Sequence, residues 1–156
     1  MNHVSWLDII VAIKFLRCCF VARYEIGTVP VFGPAVKSIG CVLVQRGADQ
    51  ETRDLNVKQI CDYQQDYENG KLERQLMVFA EGGTNNGTHL LKFKRGAFEG
   101  NCAIQPLVQK HTSILFSSAY DTLPLHAHLV LMLSAPFHTV TIYKMPPFIP
   151  NEYLYE

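Results

Sequence analysis

The sequence is short of charge. Charged residues make up 18% of its 156, against about 25% in a typical soluble domain. Its 14 Lys and Arg balance 14 Asp and Glu to a formal net charge of zero, which removes the basic footprint of a nucleic-acid binder. Long apolar runs are missing as well. The most apolar early stretch, residues 9–22, is broken by Lys14 and Arg17 and falls short of the ~20 residues a spanning helix needs. The cysteines Cys18, Cys19, Cys41, Cys61 and Cys102 form no CxxC pair and an odd set, so neither a zinc site nor a disulfide framework is expected. No Gly-x-Ser-x-Gly elbow is present, and no cysteine sits in an activated setting, which argues against covalent catalysis. The chain starts on Met1-Asn2-His3, without the charged and apolar regions of a signal peptide.

What is there is a core. Hydrophobic residues reach 48%, enough for one domain and too little chain for two. Residues 6–19 read as a helix capped by Ser5, and residues 20–22 as a short strand. Pro30, Gly33 and Pro34 punctuate the next stretch, and residues 41–45 form a β-branched apolar run of buried-strand length. Apolar Val57, Ile60, Cys61 and Tyr67 recur at helical spacing over residues 49–68, with Asn69-Gly70 as a left-handed stop. Residues 75–80 predict another buried strand, and residues 103–108 and 139–144 two more. Strands alternating with helices predict an α/β fold, a mostly parallel sheet flanked by helices. Ligands collect at the carboxyl ends of such strands, where Arg46 and Glu81 fall.

His3 stands five positions before Asp8. Asp8 can hold one imidazole nitrogen while the other takes a proton from a substrate hydroxyl, because an imidazole with a reference pKa of about 6.5 is neutral near pH 7. Ser5-Trp6-Leu7-Asp8 equally fits a capping box, in which Asp8 only satisfies the helix start. The loop Glu81-Gly82-Gly83-Thr84-Asn85-Asn86-Gly87 can cradle an anion, with Lys92, Lys94 and Arg95 adding charge, or can be an ordinary glycine-rich turn. It is no nucleotide P-loop, since Thr88-His89 stands where that motif requires Lys and Ser or Thr. Arg46 can take a phosphate in its guanidinium fork or sit exposed at a strand end. His89, His111, His126, His128 and His138 offer no convincing metal-ligand set. Residues 126–128 read as strand with two solvated rings.

Four blocks in order carry a resemblance: NHVSWLD at 2–8, VPVFGPAVKSIGCVLVQR at 29–46, FAEGGTNNGTHLLKFKRGAF at 79–98 and AIQPLV at 103–108. Together they resemble the glycerolipid acyltransferase family, the 1-acylglycerol-3-phosphate acyltransferase superfamily. The third block and the stretch 133–152 resemble its lysophospholipid acyltransferase branch. The resemblance implies transfer of a fatty acyl group from acyl-CoA to a free hydroxyl of a lysophospholipid, with no cofactor, metal or covalent acyl-enzyme. By the same resemblance His3 is the general base and Asp8 its orienting partner. Arg46 binds the acceptor's phosphate, Glu81, Gly82, Gly83 and Thr84 form the acceptor-binding loop with Lys94 nearby, and Pro106 matches the fourth block. The partners implied are acyl-CoA, a lysophospholipid and a membrane surface, at the endoplasmic reticulum or another internal membrane.

Departures from the family pattern carry expectations of their own. Ala80 replaces a proline and Gly83 a threonine, so the loop has more backbone freedom to lose on ordering. Thr84 stands where the lysophosphatidic acid branch often has arginine, which favours a lysophosphatidylcholine or lysophosphatidylethanolamine acceptor. Only Met1 and Asn2 precede His3, whereas the family has a strand and membrane helices there. The expectation is a single acyltransferase domain over residues 1–156, truncated at its N-terminus, with His3 on a terminus that frays. The alternative these departures support is a noncatalytic lipid- or partner-binding remnant of the fold.

Overall fold

The computed structural model describes all residues except 31, 48, 114, 121, 122, 152 and 154–156, and the side chain of residue 95. The block at 133–152 therefore ends outside the described residues. Helix α1 spans Leu7–Val11 and widens into a π turn at Ala12–Leu16. The predicted helix stops three residues early, at Arg17, whose φ of 51° is left-handed. Cys18, Cys19 and Phe20 are all buried, and consecutive buried residues suit a strand inside a sheet, not one face of a helix. Cys19 and Phe20 start β1, Cys19–Arg23.

Strand β1 is the centre of a parallel sheet. On one side Val21 lies opposite Val42 of β2, Val42–Val44, and on the other Cys19 lies opposite Leu76 of β3, Leu76–Met77, giving the order β2-β1-β3. A 3-10 turn, Tyr24–Thr28, and helix α2, Phe32–Ile39, cross from β1 to β2. Helix α3, Gln50–Glu68, crosses from β2 to β3. It begins where the sequence predicts: the Asp49 carboxylate accepts from Thr52 N at 2.8 Å and Thr52 Oγ1 at 2.6 Å. It ends as predicted too, with Gly70 at φ +73° and Lys71 N bonded to Asp66 O. Ala12, Cys18, Phe20 and Met77 form the core between α1 and the sheet.

Helix α2 falls where the prolines predicted only punctuation. Pro34 sits in its first turn, where its missing N–H is not needed. Gly33 is buried against the 3-10 turn, and a Cβ on it would lie 2.3 Å from Gly27 O. Gly33→Ala is expected to push α2 off the turn and cost about 1–3 kcal/mol, read as a lower urea midpoint. An unchanged midpoint would contradict this seating.

The last two predicted strands correct the expectation of one mostly parallel sheet. Among the described residues β4, Leu107–Thr112, and β5, Thr139–Lys144, pair only with each other, as an antiparallel ribbon with Leu107 opposite Lys144. The residues of β4 alternate in exposure, with Val108, Lys110 and Thr112 outward and Gln109 buried, the pattern of a ribbon with one wet face. Residues 103–106 precede β4, linked to residue 148 only by an isolated bridge at Ile104. Helix α4, Leu125–Ser134, replaces the strand reading of residues 126–128. His128 on it is buried and accepts from Trp6 Nε1 at 2.9 Å, so it is no solvated ring.

Candidate active site

Asp8 is the most heavily bonded side chain of the molecule's N-terminal region. Lying in the first turn of α1 and fully buried, it accepts at Oδ2 from Val4 N at 2.7 Å, Ser5 N at 3.0 Å and His3 Nδ1 at 2.9 Å. The bond to Ser5 N is the reciprocal half of a capping box. The cap and the histidine contact thus coexist on one oxygen, and the two readings of Asp8 are not exclusive. Its other oxygen, Oδ1, meets Gln109 Nε2 and His111 Nε2, both at 2.6 Å and both from β4. Burial pushes the Asp8 carboxyl up, but the hydrogen bonds from His111, His3, Ser5 and Val4 outweigh it and hold the group well below the usual carboxylate range.

An ionised carboxylate only accepts, which assigns the His3 proton to Nδ1 and leaves a lone pair on Nε2. The imidazole lies on Phe79, with centroids 4.0 Å apart and planes 20° from parallel. The segment around it is held from three directions. Met1 N donates to Val78 O at 3.0 Å, Asn2 exchanges two hydrogen bonds with the Gln109 backbone, and Asn85 N donates to His3 O at 2.9 Å. Main-chain and side-chain groups of distant segments thus meet the neighbours of His3.

The glycine loop is the second half of the site. Gly82 has φ +72°, a conformation that favours glycine. Its carbonyl accepts from Arg46 Nη2 at 3.2 Å, and Lys94 N donates to Ala80 O at 2.7 Å. Arg46 thus reaches Gly82, and the Lys94 side chain lies beside Gly82 as well, all three residues exposed. Glu81 is buried. Its Oε2 accepts from Asn85 Nδ2 and from Leu91 N, while Oε1 has no partner among the described residues. Gly83 and Thr84 make no hydrogen bond to the other predicted site residues, and a Cβ at Gly83 would meet nothing within 4 Å.

A cleft of about 800 Å³ opens between residues 85–90 of the loop and β4, with Glu81, Gln109 and His111 in its wall. His3, Arg46 and Lys94 lie outside that wall. Among the described residues no cluster of His, Cys, Asp and Glu is arranged to hold a metal ion. No helix among them is long and apolar enough to cross a membrane. The cysteines are free, and burial pushes the Cys18 thiol up to about 11, the setting of an inert core residue.

The acyltransferase family model matches residues 1–110, the stretch that holds the His3–Asp8 pair, Arg46 and the glycine loop. The chain belongs to the acyltransferase family. It is 31% identical over 151 residues to the lysophospholipid acyltransferase LPEAT1 of Arabidopsis thaliana, covering 97% of this chain and 38% of that protein. Human lysophosphatidylcholine acyltransferase 1 is 32% identical over 152 residues, 96% of this chain and 28% of that protein. A 1-acyl-sn-glycerol-3-phosphate acyltransferase of Neisseria gonorrhoeae is 32% identical over 98 residues, 63% of this chain and 36% of that protein. The chain thus spans well under half the length of these acyltransferases, and its similarity lies with the lysophospholipid branch. No solved structure matches it significantly.

Two residues of the site escape a reading by motif. Gln109 and His111 approach Asp8 from 101 and 103 positions away. Their signal was the two-residue spacing within a strand, which puts both on one face.

Proposed function

We propose that the chain is the acyl-transfer domain of an acyl-CoA-dependent lysophospholipid O-acyltransferase, with His3 as general base. The observation that carries the reading is a histidine whose Nδ1 is bonded at 2.9 Å to a buried carboxylate, leaving Nε2 as the free base. In the proposed reaction Nε2 takes the proton of the acceptor hydroxyl as its oxygen attacks the thioester carbonyl. The tetrahedral intermediate collapses, the C–S bond breaks, and the imidazolium returns the proton to the CoA sulfur. No acyl-enzyme forms. Asp8 keeps the base tautomer and balances the transient imidazolium, as in other carboxylate-oriented histidines.

The Arg46–Gly82–Lys94 group is proposed to hold the acceptor's phosphate, and the orphan Glu81 Oε1 to take a hydrogen bond from an acceptor hydroxyl. A lipid acceptor puts the chain at a membrane surface, which we place at the endoplasmic reticulum or another internal membrane on the strength of the family resemblance. Apolar side chains exposed on and beside α4, among them Val130, Leu133 and Phe137, suit such a surface.

CoA release by the chain in detergent, with a long-chain acyl-CoA and a panel of lysophospholipids, tests the reading. Turnover that depends on the lysophospholipid is expected. A folded chain inert with every acceptor would support the noncatalytic lipid- or partner-binding alternative. Arg46→Ala is expected to raise KM for the lysophospholipid about tenfold, the loss of one charged hydrogen bond, with KM for acyl-CoA unchanged. An equal change in both would remove Arg46 from the acceptor site.

A further inference from the structure

We infer that His111 is a positioning residue for the reaction, a brace from β4 that fixes Asp8 and through it the His3 base. The inference rests on the proposed acyl transfer by His3 and deepens it. The two oxygens of Asp8 are held by different parts of the fold. Among the described residues, Oδ2 is bonded by the segment just before α1, through His3, Val4 and Ser5, and Oδ1 by β4, through Gln109 and His111. A carboxylate held by one oxygen can still rotate about Cβ–Cγ, and one held by both cannot. At 2.6 Å from an ionised carboxylate, His111 must carry its proton on Nε2. Gln109 Nε2 donates to the same oxygen at 2.6 Å, so two side chains of β4 hold Oδ1.

His111 also reaches the cleft. Its side chain is 7% exposed and forms part of the cleft wall, while Asp8 is 1% exposed and forms none. Together with Gln109, in the same wall, it links the cleft to the buried carboxylate. Asn2, next to His3, is paired with the backbone of Gln109, so β4 holds both the base's segment and the base's carboxylate. A general base must stay within hydrogen-bond reach of its proton, and a displacement of about 1 Å can cost about a hundredfold in rate.

The test compares His111→Phe, which keeps a ring and removes the donor, with His111→Gln, whose amide can donate from nearly the same place. The readouts are kcat and KM in the acyl-transfer assay, and the low-field NMR signal of the His3 Nδ1 proton, which needs no turnover. Loss of about 10–100-fold in kcat is expected for His111→Phe, with KM for both substrates within about twofold and the low-field proton lost. His111→Gln is expected to restore kcat to within about threefold of the parent chain and to keep the proton. A folded His111→Phe with parental kcat and an unchanged proton signal overturns the inference. So does a folded His111→Gln whose kcat has collapsed, which keeps the test decisive if His111→Phe fails to fold. If the parent chain shows no turnover, the proposed function fails while the proton signals of the variants still decide the brace.

Discussion

His3→Ala is expected to reduce acyl transfer by about 10²–10⁴-fold, the usual contribution of a positioned general base, while the fold survives. The side chain is 15% exposed and gives up one hydrogen bond and one ring stack on Phe79, a loss of about 1–2 kcal/mol. Asp8 keeps its other four donors, Val4 N, Ser5 N, Gln109 Nε2 and His111 Nε2, so no buried charge is stranded. CoA release and thermal unfolding measured on the same sample separate the two effects. Retained turnover in a folded His3→Ala chain would eliminate His3 as the base.

Asp8→Ala is expected to damage both activity and stability. Five donors converge on this side chain. Its removal strands two backbone N–H groups, an amide and two imidazoles around a buried position. Breaking a buried charged network of this kind costs about 3–5 kcal/mol, a large part of the ~5–15 kcal/mol that holds a domain together. Urea unfolding checks it, and a loss below about 1 kcal/mol would contradict the network. Asp8→Asn keeps the volume but turns an amide donor toward other donors, so it should regain part of the stability and little of the activity.

Acid should produce the same lesion. The folded Asp8 carboxyl lies below its unfolded value of about 3.9. Its contribution is therefore fully present above about pH 4 and is lost as pH falls further through the lowered folded value.

Motif and periodicity carried much of this account. Helix α3 is legible because its cap, Asp49, and its stop, Asn69-Gly70, are local signals that tertiary contacts did not need to override. The β5 span is legible from alternation in Thr139–Lys144. The end of α1 is not, because what stops it is the pairing of Cys19 N with Gln75 O, a contact across the sheet. Nor is the partner of β4, since strand period is the same in a parallel sheet and an antiparallel ribbon. The His3–Asp8 contact is local and could be anticipated from spacing; the hold of β4 on the same carboxylate is long-range and could not. Helix α2 was hidden by prolines and a glycine that mark turns in isolation, yet here Pro34 lies in a first turn and Gly33 fits a close backbone approach.

Direct transfer means that a hydroxyl deprotonated by His3 attacks the thioester, with no acylated protein between. It is tested most directly by mixing the chain with acyl-labelled acyl-CoA, with and without lysophospholipid, and following CoA, labelled lipid and labelled protein from the first turnover. CoA is expected only when the acceptor is present, matching the labelled lipid one for one, with the protein left unlabelled. A burst of CoA without acceptor, with label on the protein, would contradict it.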